Sequence, residues 1–173
     1  MTTKRAQLLV HQLDITWALF DYHLKDLDDD LTLWEPAEHT WTVRMVDGTW
    51  VADWADAEPD PVPAMSIGWL TWHIGFWWTT TLQHCFRGGA PAREEIGWPG
   101  GIEAAGAWLR QVKDEWRAEL LALTDEELDS AERTAGLPWG EGQTLAEVAG
   151  WLNVELTKNV AEIGLVHILG VQR

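Results

Sequence analysis

Apolar residues recur at three- and four-residue steps along four long stretches of this chain, and that period belongs to the α-helix rather than the strand. The first stretch runs from Thr3 to Leu27, with Ala6, Leu9, Leu13, Thr16, Phe20, Leu24 and Leu27 on one face and Asp28, Asp29 and Asp30 ending it. Ser66 suits the N-cap of the second, which reaches Arg87 and stops at Gly88-Gly89. Its inner track holds Leu70, His73, Trp77, Thr80 and His84. The third spans Ile102 to Leu123, and Thr124-Asp-Glu-Glu caps one further turn. Thr144-Leu-Ala-Glu147 has the form of a capping box and opens the last, which continues to Leu169. The pattern predicts an all-α, four-helix bundle in a single domain over residues 1–173. The connection from Leu31 to Met65 is long, and within it Asp47-Gly48 suits the tight turn of a small β-hairpin. That connection and the Gly-rich loop at 133–142 argue against short up-down-up-down joints.

The last helix carries polar residues where core residues are due. Glu155, Asn159 and Glu162 stand at i, i+4 and i+7, within about 60° of one another at roughly 100° per residue. They share that track with the apolar Leu152, Val166 and Leu169. Polar groups on a core-facing seam cost free energy unless they are paired, hydrated or bound to a metal. His73, on the equally apolar SIGWLTWHIGFWW helix, can face them across a bundle. One imidazole and two carboxylates are donors that zinc, nickel or manganese accept, so a divalent metal held by His73, Glu155, Asn159 and Glu162 is one reading. The other is a buried polar network without metal, in which Asn159 and Glu162 bond directly to His73 and Glu155. Trp69, Trp72, Trp77 and Thr80 are placed to line a pocket beside His73.

A net charge of −16 excludes a general nucleic-acid binder, which needs clustered Lys and Arg. The lone Cys85 excludes an internal disulfide and reads as a packed, inert thiol, which points to the cytoplasm. No apolar run reaches the roughly 18 residues of a membrane span, so no membrane partner is expected. The outer helix faces show no decisive apolar stripe, although a homodimer fits a bundle of this size.

The Trp-rich second helix, Trp34-Glu-Pro36 after the first, and NVELTKNVAEIG in the last together resemble the DinB-like metalloprotein superfamily. The resemblance covers nearly the whole chain. It implies a four-helix bundle with a divalent metal bound by a second-helix His and two last-helix residues four apart. In many members those two are His; in the mycothiol-dependent maleylpyruvate isomerase branch the first is Glu. Carried over, the ligands fall on His73, Glu155 and Asn159, with Glu162 one turn on. Asn159 departs from the family's His, and no counterpart of the isomerases' extra C-terminal domain is expected. The implied activity is a thiol-dependent transferase or isomerase using a low-molecular-weight thiol on a small-molecule substrate. The departure at Asn159 favours the alternative, a non-catalytic bundle serving as a binding or assembly module.

Overall fold

The computed structural model describes residues 2–57 and 59–173. Four long helices form where the period places them: α1 (Lys4–Leu24), α3 (Ile67–Arg87), α4 (Ile102–Ala122) and α6 (Leu145–Gly170). Their ends follow local chemistry. Thr3, Ser66 and Thr144 each accept a backbone N–H of the first turn, and Gly88 closes α3 at φ 83°. Two short helices complete the set, α2 (Asp29–Thr32) and α5 (Asp125–Asp129), the latter opened by Thr124 in a capping box with Glu127.

The acidic run at 28–30 does more than end α1. Asp28 caps α2 through Leu31 N–H (2.8 Å), and Asp29 Oδ1 accepts the Ile102 N–H (2.8 Å) at the start of α4. Gly101, the N-cap residue of α4, has no side chain to do this, so the capping group comes from a distant segment. The connection that follows folds into two strand pairs. Strands β2 (Val43–Val46) and β3 (Thr49–Ala52) make the expected hairpin, with Asp47 at φ 50° and Gly48 at φ 82° as a type I′ turn requires. Strands β1 (Thr40–Trp41) and β4 (Ala64–Met65) pair in parallel, Thr40 opposite Ala64. The hairpin gains support by packing: Val43 is buried against Gly68, and Trp50 meets Trp98 edge-on at 5.1 Å.

Side-chain pairs fix the helix directions. Asn153 Nδ2 donates to Leu9 O (2.9 Å), Thr16 bonds Thr157 (2.9 Å) and His23 lies against Gly164, so α1 and α6 run parallel. Arg117 with Asp14 and Arg110 with Asp21 set α4 antiparallel to α1. Trp108 lies on Gly75, Trp78 on Trp116 and Arg87 bonds Glu119, so α3 and α4 run parallel. Contacts of His73 with Asn159 and of Trp77 with Trp151 make α3 antiparallel to α6. The bundle is therefore up-down-down-up rather than up-down-up-down, and the crossover it requires is the 88–101 segment between the parallel α3 and α4, not the two long joints expected above, which link antiparallel helices.

Between the helices lies a core of Leu13, Phe20, Leu70, Trp72, Trp116, Leu120, Leu152 and Ile163. Two expectations need correction. Leu169 is exposed, because in the last turn of α6 it is Gly170 that packs inward, against Leu31 and Trp34. The outer faces do carry an apolar stripe: Leu8, Ile15, Leu19 and Tyr22 on α1, and Val154, Leu165 and Ile168 on α6, all solvent-exposed. Among the described residues no helix is long and apolar enough to cross a membrane.

Candidate functional site

His73 sits in the second turn of α3, almost wholly buried, and faces the centre of α6. Its two ring nitrogens are both engaged. Trp77, one turn on along α3, donates its indole N–H to His73 Nε2 at 2.7 Å. An indole can only donate, so Nε2 must be the unprotonated acceptor and Nδ1 carries the proton. That proton points to Asn159 Oδ1, 3.1 Å away. Asn159 in turn donates Nδ2–H to the Glu155 carbonyl (2.7 Å) and lies 3.4 Å from Glu155 Oε1. Rotating the amide by 180° would set N–H against N–H at His73 and oxygen against oxygen at Glu155, so its orientation is fixed by its neighbours. Lys158 completes the row with Nζ 2.6 Å from Glu155 Oε1. From Trp77 to Glu155 every donor meets an acceptor.

Burial sets the charge state of this row. Desolvation pushes the His73 imidazole down to about 4, outweighing its bond to Asn159 and the proximity of Glu155. The ring is therefore neutral near pH 7, and its 3.9 Å approach to Glu155 Oε1 is not an ion pair. Glu155 finds its counter-charge in Lys158 instead. Glu162 feels Lys158 only at longer range: its Oε2 is buried without a hydrogen bond, and burial raises its carboxyl above the ordinary value, with Lys158 opposing the shift and Glu155 adding to it.

His73, Lys158 and Glu162 line a cavity of about 350 Å³ whose other walls are Trp41, Trp54, Met65 and Trp69, with Val62 and Pro63 at its edge. Trp69 stacks on His73 with ring centroids 4.5 Å apart and anchors its own N–H on Asp53 O (2.7 Å). Trp41 packs on Trp69 (5.2 Å) and lies nearly parallel to Trp54 (6.4 Å). Of the residues expected to line the pocket, Trp69 does so and Trp77 acts from behind His73. Trp72 turns away to donate to Ile96 O (2.6 Å), and Thr80 lies a turn beyond Trp77, buried and outside the cavity.

Trp41, Trp54 and Lys158 lie outside the set expected from sequence. The two Trp come from the long connection, whose course over the bundle, the Asp47-Gly48 turn apart, has no local signature. Lys158 stands at i+3 from Glu155, a spacing that places charges side by side on a helix. His84 bonds Ala135 O (2.9 Å), a structural role, and burial pushes the Cys85 thiol up to about 11, as suits an inert one. Among the described residues, no three His, Cys, Asp or Glu side chains form a group that could hold a metal ion.

An up-down-down-up helical bundle with a polar row between its second and last long helices defines the class of protein. The sequence profile of the DinB superfamily matches residues 12–163, and the chain belongs to that superfamily. Comparison with curated proteins and with solved structures found no match.

Proposed function

We propose that this chain is a metal-free DinB-superfamily bundle that binds a small molecule in the cavity beside His73. The observation that carries the reading is the 2.7 Å bond from Trp77 to His73 Nε2. It occupies the Nε2 lone pair. A metal on Nδ1 would then require a ring deprotonated at both nitrogens, an imidazolate anion, in place of the neutral ligand that metals ordinarily take. Asn159 offers a neutral amide oxygen where the family places an imidazole, and the Lys158 ammonium sits on the one carboxylate close to His73. As arranged, these residues do not fit a divalent ion.

One observation favours the metal-dependent reading, a zinc, nickel or manganese transferase or isomerase with a thiol co-substrate. Asn159 Oδ1 and Glu155 Oε1 both approach His73 Nδ1, at 3.1 and 3.9 Å, so three donors do converge. Metal content decides between the two. Untagged protein incubated with zinc, nickel and manganese and then desalted is expected to carry no stoichiometric ion. A Trp77→Phe, Asn159→His double variant, with Nε2 released and a second imidazole supplied, is expected to acquire one. Stoichiometric metal in the wild type, lost in His73→Ala, would overturn the proposal.

We also infer that two copies pair through the exposed stripe of α1 and α6. Leu8, Ile15, Leu19 and Tyr22 stand at offsets of 7, 11 and 14 from the first, and Leu165 and Ile168 stand at 11 and 14 from Val154. Each set lies within about 60° on its helix. Two parallel neighbours with matching stripes make a self-complementary surface, which is what a two-fold homodimer needs.

A further inference from the structure

The bond that fills His73 Nε2 requires the Trp77 indole to stay in one rotamer, yet Trp77 is only half-buried. A half-buried side chain with a single hydrogen bond has other rotamers open to it unless packing closes them. Two rings from outside α3 do so. Trp139 meets Trp77 with ring centroids 4.5 Å apart and planes at 83°, and Trp151, in the second turn of α6, meets it at 5.1 Å and 86°. Both are edge-to-face pairs, an arrangement that aromatic quadrupoles favour.

Trp151 is placed by its helix, whereas Trp139 is brought in by the segment 133–142 between α5 and α6. That segment is anchored on both sides of the ring. Thr134 Oγ1 donates to Gln143 O (2.6 Å), His84 Nε2 bonds Ala135 O (2.9 Å), and Leu137 is fully buried. Gly136 and Gly142, at φ 79° and 78°, give the segment two left-handed turns that other residues resist. The Trp139 indole N–H, by contrast, is buried without a partner. An unsatisfied donor costs free energy that native structures ordinarily avoid, so ring contacts, and not a polar tether of its own, set where this indole lies.

We propose that Trp139 is a positioning residue: together with Trp151 it holds the Trp77 indole against His73 Nε2 and so keeps that nitrogen closed to any other partner. The segment 133–142 is then a strap that keeps His73 chemically silent. With Trp139 seated, both ring nitrogens of His73 are filled; with Trp139 withdrawn, Trp77 is free to turn away and Nε2 presents an open lone pair. This inference rests on the metal-free reading of the site, which is grounded in the same bond.

An N–H···N bond transmits a scalar coupling between its two nitrogens, so NMR on nitrogen-labelled protein reads this bond directly. The Trp77 and His73 resonances are assigned by their loss in Trp77→Phe and His73→Gln. The wild type is expected to show the coupling. In Trp139→Ala it is expected to vanish, and the Trp77 indole proton to exchange with solvent at least about tenfold faster, since local opening governs exchange. Trp139→Leu, which keeps apolar bulk without a ring, carries the same expectation should the alanine variant fail to fold. Trp139→Phe keeps an aromatic edge and is expected to retain the coupling. Equal loss in Trp139→Phe would trace the effect to a loosened segment and overturn the inference. Absence of the coupling in the wild type overturns the metal-free reading itself, whereas a wild-type coupling unchanged when Trp139 is removed overturns this inference alone.

Discussion

Lowering the pH from 7.5 to 4 should cost the wild type about 3 kcal/mol of folding stability through His73 alone. In the unfolded chain this imidazole takes a proton near its ordinary 6.5; in the folded chain burial holds it down to about 4. Between those values the unfolded state binds more protons, so stability falls as pH falls, and it is fully present only above the unfolded value. The gap between them, at about 1.4 kcal/mol per pH unit, gives the magnitude. His73→Gln supplies the reference, since an amide can still accept from Trp77 and donate to Asn159 but does not titrate. Urea unfolding of both proteins, followed by tryptophan fluorescence at fixed pH values, cancels the carboxylates that titrate in the same range. The wild type's advantage over His73→Gln should shrink by about 3 kcal/mol across the window. At roughly 2–4 °C per kcal/mol for a chain of this size, that also appears as a melting shift of about 6–12 °C. A difference that stays constant with pH would refute the buried, neutral imidazole. One that grows would mean a folded-state imidazolium paired with Glu155.

Gly75→Ala should destabilise the bundle by about 1–3 kcal/mol despite alanine's better helix propensity, because its Cβ would sit 1.9 Å from the Trp108 ring. Chemical denaturation measures it, and a neutral or stabilising result would mean that Trp108 is free to swing away. Ile15→Glu and Leu165→Glu should each convert a wild-type dimer to a monomer with circular dichroism unchanged, as read by light scattering on a sizing column. A wild type that is monomeric at high micromolar concentration would remove the pairing surface.

What could be read from sequence divides along a physical line. Features set by neighbours in the chain were legible: Thr144 with Glu147 at the start of α6, Ser66 and Gly88 at the ends of α3, and the Asp47-Gly48 turn. Those set by distant segments were not. Asp29 capping α4 across the fold, the parallel bridge of Thr40 to Ala64, and Trp41 and Trp54 over the cavity all depend on how the long connection is laid across the bundle. The site shows the same division. Periodicity alone brought His73, Glu155, Asn159 and Glu162 to one place, yet their state turns on which groups fill His73's two nitrogens. One of those fillers, Trp77, stands four residues from His73 on the same face, so the donor-only indole beside the imidazole was in principle readable. The exposed stripe on α1 and α6 escaped because period marks every apolar face of a helix and does not say which face the core will cover.

The parallel course of α1 and α6 has a mechanical consequence. The start of α1 and the end of α6 lie at opposite ends of the bundle, separated by about 39 Å for a 26-residue helix at roughly 1.5 Å per residue. Tension applied between those two points pulls the neighbouring helices past each other along their axes. The contacts between Leu9 and Asn153, Thr16 and Thr157, and His23 and Gly164 are then strained together instead of opening one after another. A load from the two ends meets the whole seam at once, in shear, and the bundle resists it as a lap joint does rather than parting like a zip.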